Sequence, residues 1–152
     1  MKKNTSFRTL CKCLQDEKTS GQSSVDFYNE LKQAEPDWHE VVRSADQHFM
    51  IPILYHQLDR KGAVGLLPKE LQSLIYNIYQ LNGQRNKQIL DEITRIAATL
   101  NKVGIEPVFL KGSAALLMKL YESHELRIMS DVDFLVERED IPTCVEILES
   151  MG

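Results

Sequence analysis

Apolar residues recur at helical spacing between residues 68 and 103, and this segment constrains the fold more than any other feature of the sequence. Positions three and four residues apart lie on the same face of a helix. Pro68 suits a first helical position, and Gly104 suits the position that follows a helix end. The pattern therefore predicts one long helix, which Gly83 bends or interrupts. Its apolar positions are Leu71, Leu74, Ile75, Ile78, Leu81, Ile89, Ile93, Ile96, Ala97 and Leu100.

The sequence before the long helix predicts further helices. Residues 25–34 have helical apolar spacing, and Asp37 with Glu40 has the spacing of a capping box at the start of the next helix. Pro52 favours the start of a third helix. The basic first twenty residues predict a solvated tail or a short helix. Residues 1–103 are therefore expected to form a helical region.

The pattern changes after Gly104. Residues 107–110 and 128–136 are rich in strand formers, and helix formers lie between them. Residues 140–151 predict a final helix. The expected fold class is α+β, with a helical N-terminal region and its long helix followed by a partial α/β unit in residues 104–152.

Composition and charge limit the classes of function. A formal net charge of −4 does not favour bulk binding of nucleic acid. No apolar run has the length of a membrane span, and no secretory signal follows Met1. The three cysteines do not form a disulfide framework, so a reducing, cytoplasmic location is expected. Cys11 and Cys13 are interpreted as two thiols on or near a helix, not as a metal pair.

Two carboxylates, Asp131 and Asp133, are separated by one residue in a predicted strand. Side chains alternate between the faces of a strand, so these two are expected to share a face while Val132, Phe134 and Val136 point to the other. Two carboxylates this close repel each other unless a cation neutralises them, and Mg²⁺ prefers such oxygen ligands. The alternative is a pair of solvated acids on an exposed strand.

The turn Lys111-Gly112-Ser113 joins the first predicted strand to a helix. Gly112 has no side chain to block the approach of a phosphate to the backbone, and Ser113 is expected to cap the helix, whose first amides favour an anion. Lys111 is either a second phosphate contact or a lysine that extends from the sheet edge into solvent. Gly-Ser is also an ordinary strand-to-helix turn. The one-helix crossover predicts that turn and carboxylates meet in one cleft.

The combination of this turn with Asp-x-Asp on the next strand resembles the nucleotidyltransferase superfamily, whose fold is shared with DNA polymerase beta. Residues 108–116 and 130–136 are more closely similar to a largely uncharacterised bacterial branch, which also has a Tyr and an Arg at positions corresponding to Tyr121 and Arg127. The match is specific over residues 104–152, which the resemblance identifies as the start of a nucleotidyltransferase domain.

The resemblance implies that Gly112 and Ser113 hold a nucleoside triphosphate and that Asp131 and Asp133 ligate Mg²⁺ or Mn²⁺. By the same resemblance, Arg127 orients the carboxylates or meets a phosphate; it could also be a surface arginine paired with Glu125 or Asp131. Tyr121 is expected to pack at the helix end.

The superfamily has a third carboxylate on a later strand, to which no acid of this sequence corresponds. A fragment of a longer protein is therefore expected. It would bind nucleotide weakly, catalyse no transfer and be prone to self-association through an uncovered sheet edge.

Three functions follow from these expectations. The first is metal-dependent transfer of a nucleotidyl group from a nucleoside triphosphate to a hydroxyl acceptor. The second is a catalytically inactive nucleotide-binding or protein-interaction module with the same fold. The third is modification of an RNA end by a toxin-like enzyme, which the net acidity does not support.

Overall fold

A computed structural model describes residues 2–15 and 21–151, with side chains described from Thr5 onward. Contacts divide the chain into two compact units, Met1–Asn82 and Gly83–Gly152. The division falls inside the long helix. The boundary predicted from sequence, between residues 1–103 and 104–152, is the point at which helices give way to strands. The division into these two domains stays a prediction.

The first unit is helical throughout its described residues. Its elements are α1 (Lys2–Leu14), α2 (Ser24–Ala34), α3 (Trp38–Gln47), α4 (Ile51–Arg60), a 3-10 turn (Val64–Leu66) and the beginning of α5 (Lys69–Asn101). The carboxylate of Asp37 accepts a hydrogen bond from the Glu40 backbone N–H, so the predicted cap at α3 is confirmed. Each helix buries one apolar stripe, which is why the helical period was visible in the sequence.

The N-terminal helix α1 belongs to the core of this unit. Leu10 and Cys13 are buried among side chains of α2, α3 and α4, so the helix is packed and is not a solvated tail. Residues 1 and 16–20 of the predicted tail lie outside the described residues. Burial raises the pKa of the Cys13 thiol to about 12, and Cys11 is exposed. The two thiols therefore lie in different environments.

Lys61 is a charged side chain that is buried in this unit. Its Nζ donates hydrogen bonds to the carbonyl oxygens of Cys13, at 2.9 Å, and Gln15, at 2.5 Å. The ammonium also lies 4.4 Å from the centre of the Phe27 ring, within the range of a cation–π interaction. Lys61 thus links the end of α4 to the end of α1 and to α2.

The second unit contains the rest of α5 and all of the described strands. It continues with β1 (Val108–Phe109), α6 (Lys111–Leu117), a 3-10 turn (His124–Leu126), β2 (Phe134–Leu135), a 3-10 turn (Arg138–Asp140) and α7 (Ile141–Met151). Its core is formed by Ile96 and Leu100 of α5, Ile105, and Cys144 of α7, with Phe109 and Phe134 packed against them. The α+β class, with a long helix before the strands, is confirmed.

The two strands pair differently from the prediction. They form an antiparallel ladder in which Val108 pairs with Leu135 and Phe109 with Phe134. A one-helix crossover joins parallel strands, so the expected crossover was wrong. Residues 118–133 are mostly irregular, and they lead the chain into β2 so that it runs antiparallel to β1. The predicted second strand, residues 128–136, is regular only at Phe134–Leu135.

None of the helices in residues 2–15 and 21–151 combines the length and the apolar character that a membrane span requires.

Replacing Lys61 with methionine should lower the free energy of unfolding of the first unit by about 2 kcal/mol, because two buried carbonyls lose a charged donor. Urea denaturation followed by circular dichroism measures the change. Lys32→Met, at an exposed position of α2, serves as the matched control and should leave the urea midpoint unchanged. Equal midpoints for the two variants would contradict the structural role of Lys61.

Candidate functional site

The turn at Lys111 lies beside Asp133 because their neighbouring backbone groups are hydrogen-bonded. The Leu110 N–H donates to the Asp133 carbonyl at 2.9 Å and extends the ladder by one step. Leu110 is extended, and Lys111 then adopts a left-handed conformation with φ of 48°. This conformation turns the chain directly from the strand into α6. The local backbone therefore places the lysine beside the Asp-x-Asp segment.

Lys111 and the two aspartates form one charged cluster. The ammonium Nζ lies 3.0 Å from Asp133 Oδ2. The hydrogen bond to Asp133, and then the negative charges of Asp133 and Asp131, raise the pKa of Lys111 above its ordinary value. Both carboxylates therefore act on the same ammonium. Asp131 is exposed, Asp133 is partly exposed, and the Lys111 side chain is 71% exposed, so solvent reaches the cluster.

The alternation predicted for this segment is supported on its apolar face. Phe134 and Val136 pack against the core of the second unit, and the Phe134 ring lies 5.6 Å from the Phe109 ring. Leu135, between them, is exposed. Asp131 and Asp133 precede the regular part of the strand.

Gly112 is buried beneath two side chains. A Cβ atom at this position would lie 3.2 Å from Arg127 Nε and 3.2 Å from both Cγ and Cε of Met129. The missing side chain therefore lets α6 pack against Arg127 and Met129. This packing role is distinct from the phosphate approach expected from the sequence.

Ser113 does not cap the helix, and that prediction was wrong. The helix begins at Lys111 with Leu110 as its cap residue, so Ser113 falls within the first turn and faces the interior. It is 1% exposed, and its hydroxyl has no hydrogen-bond partner among the described residues.

Arg127 connects the turn to Tyr121. Its Nη1 donates a hydrogen bond to the Tyr121 hydroxyl at 3.4 Å, while its Nε lies over Gly112. Tyr121, expected only to pack at the helix end, therefore also holds the guanidinium. Arg127 is half-buried.

Two residues of α5, Gly83 and Asn86, pack against the segment containing Arg127, a contact that the sequence did not predict. Asn86 is fully buried, and its Nδ2 donates to the carbonyls of His124 and Arg127, both at 2.6 Å. A Cβ on Gly83 would lie only 2.5 Å from Cγ of Glu125. Gly83 therefore does not interrupt the helix; it makes room for a side chain. The signal was a glycine and an asparagine three residues apart in a helical pattern, which place both on one face.

A cavity of about 550 Å³ lies beside this segment. Its walls are Ala115 and Leu116 of α6, Lys119 and residues 121–125. Tyr121 belongs both to the cavity wall and to the hydrogen bond with Arg127. The cavity is thus joined by direct contacts to the turn at Gly112.

Two carboxylates, Asp131 and Asp133, are the candidate metal ligands. Among residues 2–15 and 21–151, no three His, Cys, Asp or Glu side chains are grouped so that they could share an ion. Asp131 and Asp133 offer oxygen ligands of the type that Mg²⁺ takes, and Mg²⁺ commonly uses one or two carboxylates together with water and substrate phosphates. The residues present therefore fit this ion.

Comparison with known proteins gives one match. A family model described as an uncharacterised nucleotidyltransferase matches residues 34–152, which is most of the chain and includes both the long helix and the charged cluster. The search of curated proteins found no match. The search of solved structures found none either.

Gly112→Val should lower the free energy of unfolding by about 2 kcal/mol, since the new side chain must displace Arg127 and Met129. Thermal or urea unfolding measures this change. Gly65→Val is the matched control, because a Cβ at Gly65 meets nothing within 4 Å. A Gly112 variant as stable as the Gly65 variant would show that Arg127 does not pack on the turn.

Proposed function

Because this chain belongs to the uncharacterised nucleotidyltransferase family, we propose that it transfers a nucleotidyl group from a nucleoside triphosphate to a hydroxyl acceptor, with Mg²⁺ held by Asp131 and Asp133. The observation that carries the proposal is the charged cluster. Lys111 lies 3.0 Å from Asp133, and the charges of both aspartates raise its pKa. One of the two carboxylates therefore pairs with a cation at an exposed turn, and the other is two residues away along the chain.

In the transfer, the acceptor oxygen forms a bond to the α-phosphorus as the bond to the bridging oxygen breaks. Pyrophosphate leaves with that electron pair, and the acceptor proton passes to solvent or to a carboxylate base, the role of the third acid to which no residue of this sequence corresponds. Mg²⁺ or Mn²⁺ bound at the aspartates would supply positive charge against the triphosphate. The chain's own contribution is to bring the phosphates and the acceptor together in one orientation.

Lys111 is the proposed direct contact to the triphosphate. Its left-handed backbone suits glycine and costs a residue with a side chain about 1 kcal/mol. The side chain is exposed, so its pairing with Asp133 offsets little of this cost. Gly112 and Ser113 are buried, so in this proposal they shape the turn beneath Lys111, and Arg127 supports the turn from its packed side.

One observation favours the second candidate, a catalytically inactive nucleotide-binding or protein-interaction module. The Lys111 ammonium already balances the charge of Asp133 without any metal. A protein that had lost its chemistry could keep such an ion pair for the fold alone. The two candidates differ in whether nucleotide binding depends on metal and on the aspartates.

Asp131→Ala and Asp133→Ala should each weaken Mg²⁺-dependent binding of nucleoside triphosphate by at least about tenfold, because each removes a metal ligand. Isothermal titration calorimetry with a panel of four triphosphates, with and without Mg²⁺, measures the affinity. Mn²⁺ in place of Mg²⁺ tests whether the site accepts either ion.

Asp91→Ala, at an exposed position of α5, is the matched control and should bind like the wild type. Retained Mg²⁺-dependent affinity in both site variants would show that the aspartates are solvated acids. Metal-dependent binding without transfer of label to any acceptor in cell extract would instead support the inactive module.

Lys111→Gln should change two affinities in opposite directions. Mg²⁺ alone should bind several-fold more tightly, because the ammonium no longer competes for Asp133. The Mg²⁺–triphosphate complex should bind several-fold more weakly, because a phosphate contact is lost. Calorimetric titrations with metal alone and with the complex separate the two. A lysine that only extends into solvent would leave both affinities unchanged, as Lys102→Gln should.

A further inference from the structure

The two-stranded sheet has one packed face and one exposed face. Phe109 and Phe134, which pair across the strands, pack against the core of the second unit. The neighbouring pair, Val108 and Leu135, is 60% and 58% exposed. Successive side chains of a strand point to opposite faces, so this pair lies on the face directed away from the core. The exposed face therefore presents an aliphatic pair that a ligand can cover.

The carboxylate of Asp133 lies on the same face as the aliphatic pair. Asp133 and Leu135 stand on either side of Phe134, so both point away from the core to which Phe134 points. The hydrogen bond from the Leu110 N–H to the Asp133 carbonyl keeps the strands in register as far as Asp133. Two residues of extended strand span about 7 Å. The aliphatic pair is therefore the next step along this face from a proposed metal ligand.

The order of these groups along the strands gives the face a direction. On β1, Val108 comes first, and Lys111 follows at the beginning of α6. Because β2 runs antiparallel, Leu135 lies beside Val108, and Asp133 lies further towards Lys111, whose ammonium is 3.0 Å from Asp133 Oδ2. The face thus has a cation at one end, a carboxylate in the middle and an apolar pair at the other end.

A nucleoside triphosphate has its groups in a matching order. Its terminal phosphates are followed by the α-phosphate, and then by the ribose and the base. In the proposed function, Lys111 contacts the phosphates, and Asp133 holds the metal that accompanies them. The part of the nucleotide that extends from Asp133 away from Lys111 is then the nucleoside. A base has a flat face that gains from contact with apolar side chains, whereas a phosphate does not.

We infer that Val108 and Leu135 form the base contact of the nucleotide site, with one face of the base packed on the two side chains. The inference rests on the proposed nucleotidyl transfer, for which it supplies the nucleoside part of the substrate site. All four bases have such a face, so the contact contributes affinity and little selectivity among bases. Two side chains also suit a ring better than a protein surface, since a standard protein interface buries about 800 Å² on each partner.

Calorimetry with the Mg²⁺ complexes of ATP and of tripolyphosphate tests the inference, because tripolyphosphate has the phosphates without the nucleoside. Val108→Ser and Leu135→Ser should each weaken ATP binding about fivefold, since the base covers less apolar area. GTP, CTP and UTP should lose affinity in the same way, and tripolyphosphate should lose none. Val145→Ser, at a position of α7 that is 47% exposed, is the matched control and should leave all affinities unchanged.

Nuclear Overhauser effects provide an independent measurement on the wild-type chain. With the methyl groups of valine and leucine labelled, the H8 proton of bound ATP should show contacts to Val108 and Leu135 and none to the exposed Val145. If a serine variant fails to fold, this measurement decides.

Three results would each overturn the inference: unchanged ATP affinity in both serine variants, an equal loss for ATP and tripolyphosphate, or base contacts to other methyl groups only. The first is expected if the pair holds the acceptor or a protein partner instead. All three leave the test of Asp131 and Asp133 intact, so a failure of the base contact is distinguishable from a failure of the proposed function. A wild-type chain that binds neither complex would contradict both.

Discussion

The two hydrogen bonds of the Asn86 amide are the interaction on which the rest of the second unit depends. A fully buried amide donor must be paired, and here both bonds go to carbonyls of the irregular segment, His124 and Arg127. That segment cannot satisfy these carbonyls through a ladder of its own. Its fixed position in turn directs Arg127 over Gly112. The long helix therefore acts within this unit as a rigid support for the turn that carries Lys111.

The helical part of the fold could be predicted because its signals are local. Apolar spacing, Asp37 and the prolines each report on a few neighbouring residues, and α5, seen at Lys69–Asn101, lies close to its predicted bounds. The strand pairing could not be read in this way. The direction of β2 depends on how residues 118–133 return to it, and that path is fixed by hydrogen bonds to distant residues such as Asn86. Of the predicted strand 128–136, only Phe134–Leu135 is regular.

In the candidate site, too, the residues with local sequence signals were predicted, and those that depend on long-range contacts were not. Lys111, Gly112, Asp131 and Asp133 were found from their spacing, because the motif is contained in two short segments. Asn86 was missed and Gly83 was interpreted as a bend or interruption, since a polar residue and a glycine inside an amphipathic helix normally indicate a solvated face and a weak point. Ser113 was misplaced for a related reason: a serine near a helix start is usually the cap, and only the structure shows that Leu110 is the cap residue, with the Ala114 N–H donating to its carbonyl.

The charge balance at the turn explains how one site can exist in two states. Two aspartates beside each other repel, which favours any cation that reaches them. The Lys111 ammonium supplies such a cation at Asp133, although an exposed pair of this kind contributes little to stability. In the proposed function, a divalent ion bound at the aspartates would release the lysine towards the phosphates that accompany the ion. The same side chain would then pair with Asp133 or contact the phosphates, and this would account for a lysine where the backbone conformation favours glycine.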